Sequence, residues 1–129
     1  MSCKYTEKGL KMLKQVYVGM VDFKGCHWVR ISGRDVSKMT GVKGVNHLVL
    51  DDVKCLNGIV DFRGVKNTIE FINTDMSKVK QILCCTNCNI VGLKNDKTMT
   101  GLIVYEYAGL VNLKTKLIKD YIHNDNQKS

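Results

Sequence analysis

The side chains best suited to a binding or chemical role lie in RDVSKMTGVKGVNHLVLDD, residues 34–52. In this stretch an Asn-His pair follows several basic residues. An asparagine amide can pair with adenine in the major groove of DNA, whereas lysine and arginine hold phosphates and set the register. We therefore predict that Asn46 and His47 read bases. The residues of this stretch that would hold phosphate are Arg34, Lys38 and Lys43.

The run CCTNC, residues 84–88, raises the question of a metal site. Cys85 and Cys88 have the C-x-x-C spacing that lets two thiolates bind one zinc ion, but a structural zinc site needs four ligands. The chain has no second C-x-x-C pair. Packing of these thiols as small hydrophobic groups is favoured, so no metal and no cofactor is predicted, although metal binding by Cys84, Cys85 and Cys88 stays open. The six cysteines are predicted to be reduced.

Catalytic chemistry is not indicated by the other polar residues. Nothing in the sequence places His27, His47 or His123 beside a particular thiol, and no G-x-S-x-G, phosphate-binding loop or G-x-G-x-x-G motif is present. We therefore predict that the protein is not an enzyme and has no catalytic residues.

The charge balance favours an anionic partner. The chain carries a formal net charge of +8, from seventeen lysines and three arginines against twelve acidic residues. Nucleic acid is the most common partner of such a chain. A lysine-rich surface that reflects an AT-rich genome explains the charge equally well.

The length of 129 residues predicts a single domain over residues 1–129, with 44% hydrophobic residues to build its core. No apolar run approaches the roughly 20 residues that span a bilayer, and the N-terminus lacks a charged-then-apolar signal pattern. These patterns predict an intracellular protein without membrane contact. They leave the oligomeric state open.

Two short helices around a turn are predicted to position the Asn-His pair. Ser32 can cap a helix over RDVSKMT, Gly41 can end it, and VNHLVL would form the second helix. The turn and the second helix are shorter than in the usual helix-turn-helix. A helical hairpin without a role in DNA binding is therefore an equally good interpretation.

The whole chain predicts an α+β fold, a single compact domain with short antiparallel strands and several helices. Hairpin turns are expected at Lys24-Gly25, Asn57-Gly58 and Arg63-Gly64, and Trp28 is expected in the core. No internal repeat is apparent. Strands are predicted for YVGMVDF, CHWVRI, IVDF and TIEFIN and within residues 87–95 and 101–107. Helices are predicted over residues 6–15, 75–85 and 108–123, and a disordered tail over residues 124–129.

Read in order, residues 28–83 resemble the Bro-N domain, which is found at the N-terminus of baculovirus repeated-ORF proteins and of many phage antirepressors. The segments that carry the resemblance are WVRISGRDVSKMTG, VNHLVLDD, FRGVKNTIEFIN and DMSKVKQIL. The helix after FIN begins with TDMSK, which departs from the family pattern, and residues 89–129 match no signature of the family and have no assigned role.

The resemblance implies a viral or phage protein that binds DNA in the host cytoplasm or nucleus, as a transcriptional regulator or antirepressor. It implies that helices over residues 34–50 and a basic turn at residues 63–66 lie nearest the DNA. Arg63 and Lys66 of that turn therefore join the predicted nucleic-acid-binding residues. A second interpretation is a non-enzymatic viral or phage antagonist that binds and inhibits a host protein. A third is a zinc-stabilised module.

Overall fold

The structure is a computed structural model that describes residues 19–32, 39–93 and 101–117. Every regular element in these residues is a β-strand, and none of them forms a helix that could cross a membrane. The strands are β1 (Met20–Ser32), β2 (Gly41–Asp51), β3 (Gly58–Ile72), β4 (Val79–Cys85), β5 (Asn89–Val91), β6 (Ile103–Ala108) and β7 (Val111–Leu117).

Successive strands pair in parallel, in a β-solenoid-like arrangement. β1 pairs with β2, β2 with β3, β3 with both β4 and β5, and β4 with β6. Met20 lies opposite Gly41, and Gly41 lies opposite Asp61, so one coil takes about 20 residues. Among the described strands, β7 alone is antiparallel to its neighbour, β6.

The core consists of apolar side chains that stack at equivalent positions of successive coils. Neighbouring strands lie about 4.7–4.9 Å apart, so side chains within one stack touch. Most members are valine or isoleucine, whose branched side chains suit a pleated surface. Two of these stacks are Val29–Leu48–Ile69–Ile90 and Val60–Ile82–Val104, and all their members except Ile90 are fully buried.

The predicted α+β fold with helices is wrong for the described residues. VNHLVL, predicted as a helix, belongs to β2, and the second half of the predicted helix over residues 75–85 is β4. The predicted helix over residues 108–123 contains β7. In β2 the side chains of Val45 and Leu48 are both buried although they are three residues apart. The pairing of β2 with β3 is irregular between these two residues. Buried residues therefore recur after three positions, which is the spacing expected of a helix.

The predicted hairpin turns at Lys24-Gly25 and Arg63-Gly64 are also wrong, because each dipeptide lies inside one continuous strand. The strand bends there and then runs on, and its pairing partner is the next coil. Trp28 is half-buried and does not anchor the core.

An internal repeat is present, contrary to the prediction. The sequences VDFKG, residues 21–25, and VDFRG, residues 60–64, are separated by 39 residues, which corresponds to two coils. The predicted helix over residues 6–15 and the tail over residues 124–129 lie outside the described residues, as do Arg34 and Lys38.

Candidate anion-binding surface

A bend inside each of the first three long strands builds the candidate site. The bends carry DFKG in β1, GVKG in β2 and DFRG in β3, each with a basic residue followed by glycine. Gly25 and Gly44 have φ angles of 86° and 74°, a left-handed conformation that glycine adopts without steric cost. The register aligns Cys26 with Val45 and Val45 with Val65. A Lys/Arg-Gly pair therefore directly precedes the aligned residue in each of the three coils.

An aspartate holds the bend in β1 and in β3. The backbone N–H of Lys24 donates to Asp22 Oδ1 at 2.9 Å, and the backbone N–H of Arg63 donates to Asp61 Oδ1 at 3.0 Å. In each bend the aspartate carboxylate accepts a hydrogen bond from the backbone N–H two residues later. This arrangement is an Asx-turn, which mimics a backbone turn. The two bends thus share this hydrogen bond and a similar sequence, but Lys24 and Gly25 have positive φ angles that Arg63 and Gly64 lack.

Four basic side chains lie at or just after these bends, and we call them the basic row: Lys24, Lys43, Arg63 and Lys66. The three lysines are exposed and Arg63 is half-buried. Lys43 Nζ lies 3.9 Å from Asp22 Oδ2, which places Lys43 beside the bend of the preceding coil. With Asp22 and Asp61 on the same surface, the row retains an excess of two positive charges.

Arg63 is fixed more firmly than the three lysines. Its Nε and Nη2 donate to the two carboxylate oxygens of Asp61 at 3.0 and 2.7 Å. Its Cζ lies 4.8 Å from the centroid of the Tyr107 ring, a cation–π contact. The Cys85 thiol donates to the Arg63 carbonyl oxygen at 2.8 Å. Arg63 of β3 thus contacts β4 and β6, and the N–H groups that do not bond Asp61 remain available to a ligand.

An open cleft of about 270 Å³ lies beside the basic row. Lys43, Asp61 and Arg63 form its charged side, and Met20 and Leu110 form an apolar side. A ligand that combines a negative charge with a flat or apolar group fits such a lining.

Asn46 and His47 lie in the same strand as Lys43, one step beyond the bend. The Asn46 amide nitrogen lies 3.3 Å from His27 Nδ1 of the preceding coil. The rings of His27 and His47 meet edge to face, with their centroids 5.0 Å apart. The solenoid thus joins two histidines that are 20 residues apart in sequence.

The structure places five of the seven predicted binding residues on two adjacent strands. Lys43, Asn46 and His47 lie on β2, and Arg63 and Lys66 lie on β3. Those on β2 replace the predicted helical hairpin, and those on β3 replace the predicted basic turn. Sequence reasoning missed Lys24 and His27, which the DFKG and DFRG repeat could have identified, because Lys24-Gly25-Cys26-His27 occupies the same place as Arg63-Gly64-Val65-Lys66.

The cysteines contribute little chemistry to this surface. Burial raises the pKa of the Cys84 and Cys88 thiols to about 12, so both stay protonated at neutral pH. Cys55, Cys84, Cys85 and Cys88 are free, whereas Cys26 is disulfide-bonded, so the predicted reduced state is wrong for Cys26. No group of three or more His, Cys, Asp or Glu in the described residues could hold a metal ion.

The Asp61 carboxyl in the bend of β3 makes the stability of the fold depend on pH. Burial raises the pKa of the Asp61 carboxyl, but hydrogen bonds from the side chain and backbone of Arg63 outweigh it, so the pKa lies below its ordinary value. Folding therefore favours the carboxylate. Its contribution is complete above the unfolded pKa of about 3.9 and is lost as the pH falls through the lower folded value.

We expect Asp61→Asn to lower the free energy of unfolding at pH 7 and to reduce its decrease between pH 5 and pH 2. Urea denaturation across this range measures both quantities. The pKa of Asp75 is also lowered, by hydrogen bonds from Ser77, so Asp61→Asn should keep part of the pH dependence. Equal pH profiles for the wild type and Asp61→Asn would contradict the assignment.

Comparisons of the chain with protein-family models, with curated proteins and with solved structures found no significant match. The segments VNHLVLDD and DMSKVKQIL, which carry part of the Bro-N resemblance, form strands and turns here instead of the helices that the resemblance implies. A β-solenoid-like protein with a basic row is the class that the fold and the site define, and its function is argued from that surface.

Proposed function

We propose that the protein is a non-enzymatic nucleic-acid-binding protein that uses the basic row to contact the phosphate backbone of DNA. The observation that carries this proposal is a basic residue in the bend of each of three consecutive coils, two residues before the aligned positions Cys26, Val45 and Val65. Coils repeat about every 4.7–4.9 Å. A regular row of cations suits a partner whose anionic groups also repeat along a line.

Each part of the surface has a role in this proposal. The exposed lysines Lys24, Lys43 and Lys66 hold phosphates, which provides affinity without sequence preference. Arg63, oriented by Asp61 and Tyr107, offers its remaining N–H groups to a phosphate at the cleft. Asn46 lies beside the row, where its amide can reach a base edge or a sugar.

The biological setting that we propose is transcriptional regulation inside a host cell, by a viral or phage protein. The net charge of +8 supports it, and so does the order of sequence segments shared with Bro-N over residues 28–83, although the helices that this resemblance implies do not form at VNHLVL or DMSKVKQIL. In the described part of the chain, the β-solenoid-like fold implies that any reading of DNA uses strands.

The salt dependence of DNA binding tests the proposal. Each phosphate contact adds about 0.9 to the slope of log affinity against log salt for duplex DNA, so three or four contacts weaken binding roughly 40- to 150-fold between 50 and 200 mM salt. Fluorescence anisotropy with a labelled duplex measures this slope. Undetectable binding at 50 mM salt, or equal affinity at both concentrations, would reject the proposal.

A second candidate function is binding of a host protein through β7. Among the described residues, four of the six exposed large hydrophobic side chains lie in residues 110–117, and Leu110 is 92% exposed. Concentrated apolar exposure of this kind commonly marks a protein-binding surface. The Lys116 ammonium lies 3.0 Å from the buried Glu106 carboxylate, which fixes β7 against β6.

The two candidate functions respond to different substitutions. If β7 binds a host protein, Leu110→Lys with Leu113→Lys should abolish capture of that protein from nuclease-treated host lysate. Substitutions in the basic row should leave the capture unchanged. Capture that depends on the basic row, or that disappears after nuclease treatment, would count against this second function.

A further inference from the structure

We propose that His27 and His47 form a binding site for a divalent transition-metal ion, with Zn²⁺ as its representative, and that Asn46 orients one of the ligands. The site links β1 to β2 on the outside of the solenoid. It does not depend on nucleic-acid binding and is tested without nucleic acid.

The separation of the two rings matches that of two imidazoles on one metal ion. Zn–N bonds are about 2.0–2.1 Å long, and with a near-tetrahedral angle at the metal the centroids of two bound rings lie about 5 Å apart. The centroids of His27 and His47 are 5.0 Å apart. The two rings therefore already have the separation that chelation requires, and each ring has to turn one nitrogen towards the ion.

Asn46 provides the partner that a metal-binding histidine usually has. A ligating histidine commonly hydrogen-bonds its second ring nitrogen to a neighbouring group, which fixes the tautomer and the ring orientation. The Asn46 amide lies 3.3 Å from His27 Nδ1. Since an amide can turn either its oxygen or its NH₂ towards the ring, Asn46 can accept a proton from Nδ1–H and leave Nε2 of His27 for the metal.

The composition of the site selects the kind of ion. Imidazole nitrogen suits Zn²⁺, Ni²⁺ and Cu²⁺, whereas Mg²⁺ and Ca²⁺ require oxygen ligands. Because the described residues add no third His, Cys, Asp or Glu to this pair, the remaining positions on the ion are open to water or to an external ligand. His27 is exposed and His47 is half-buried, so the ion can exchange with solvent.

Imidazole ¹⁵N NMR during a Zn²⁺ titration of the full-length protein at neutral pH tests the proposal. The ring-nitrogen signals of His27 and His47 should shift together and saturate at the same concentration, and Mg²⁺ should shift neither. His27→Gln and His47→Gln should each weaken Zn²⁺ binding at the remaining histidine at least 10-fold, because each removes one of the two ligands. Saturation of the two histidines at different concentrations, or full affinity at His47 in His27→Gln, would overturn the site.

Two further variants separate this site from competing explanations. His123→Gln, the matched control, should leave the shifts of His27 and His47 unchanged. Asn46→Ala should weaken Zn²⁺ binding about 10-fold, as loss of a supporting partner does, whereas Asn46→Asp, whose carboxylate also accepts from Nδ1–H, should retain it. Equal affinities for Asn46→Ala and the wild type would remove Asn46 from the proposal, and zinc bound through the thiols with no shift at either histidine would overturn it. Unchanged backbone amide spectra verify the fold of each variant.

Discussion

Replacement of Lys24, Lys43 and Lys66 by glutamate is expected to weaken DNA binding on the order of 100-fold at 50 mM salt. The three lysines are exposed on successive coils of the basic row, so the triple variant removes three phosphate contacts and adds repulsion. Each lost contact lowers the salt slope by about 0.9 for duplex DNA. The residual binding of the variant should therefore depend only weakly on salt.

The matched control for this variant reverses three other exposed lysines, Lys54, Lys78 and Lys80. Each reversal removes two positive charges, so both triple variants lower the net charge from +8 to +2. Non-specific attraction by the whole chain would weaken equally in both variants. A loss confined to the variant of the basic row assigns DNA binding to that row, and equal losses would contradict the assignment. Anisotropy titrations at several salt concentrations give both slopes.

The strands that extend without interruption were predictable from the sequence. The strand character of IVDF, TIEFIN and GLIVYEY is confirmed by β3 and β6. Their apolar residues alternate with polar ones or are β-branched, and both patterns are typical of a strand. The prediction failed where the solenoid interrupts that period. Val45 and Leu48 in β2 are both buried across an irregular step, and a single sequence with this spacing is equally consistent with a short helix.

Residues of the candidate site could be predicted from their chemistry, but their arrangement could not. Lys43 and Lys66 were identifiable as basic residues, although neither the helical hairpin expected around Lys43 nor the turn expected at residues 63–66 forms. The contact between His27 and His47 depends on the length of a coil and on the register of β1 against β2. Neither quantity is encoded by local propensity. The repeat of VDFKG and VDFRG is the sequence signal that could have supplied the coil length.

The bend in β3 has no space for a side chain at position 64, because β2 approaches it closely. A side chain added there is expected to lower the free energy of unfolding strongly. A Cβ atom added at Gly64 would lie 2.1 Å from the Cβ and 2.4 Å from the Cα of Lys43 on the adjacent coil. Both contacts are far inside van der Waals distance, and the Cα belongs to the backbone. Relief of the overlap therefore requires β2 and β3 to move apart.

We expect Gly64→Ala to lower the free energy of unfolding by about 3 kcal/mol, at the upper end of the usual cost of overpacking. Gly101→Ala is the matched control, because a Cβ at Gly101 meets no atom within 4 Å. It should be neutral or slightly stabilising, since alanine reduces the entropy of the unfolded chain. Urea denaturation of both variants measures the difference. Equal stability of Gly64→Ala and Gly101→Ala would contradict the close approach of the two coils, and with it the spacing of the basic row.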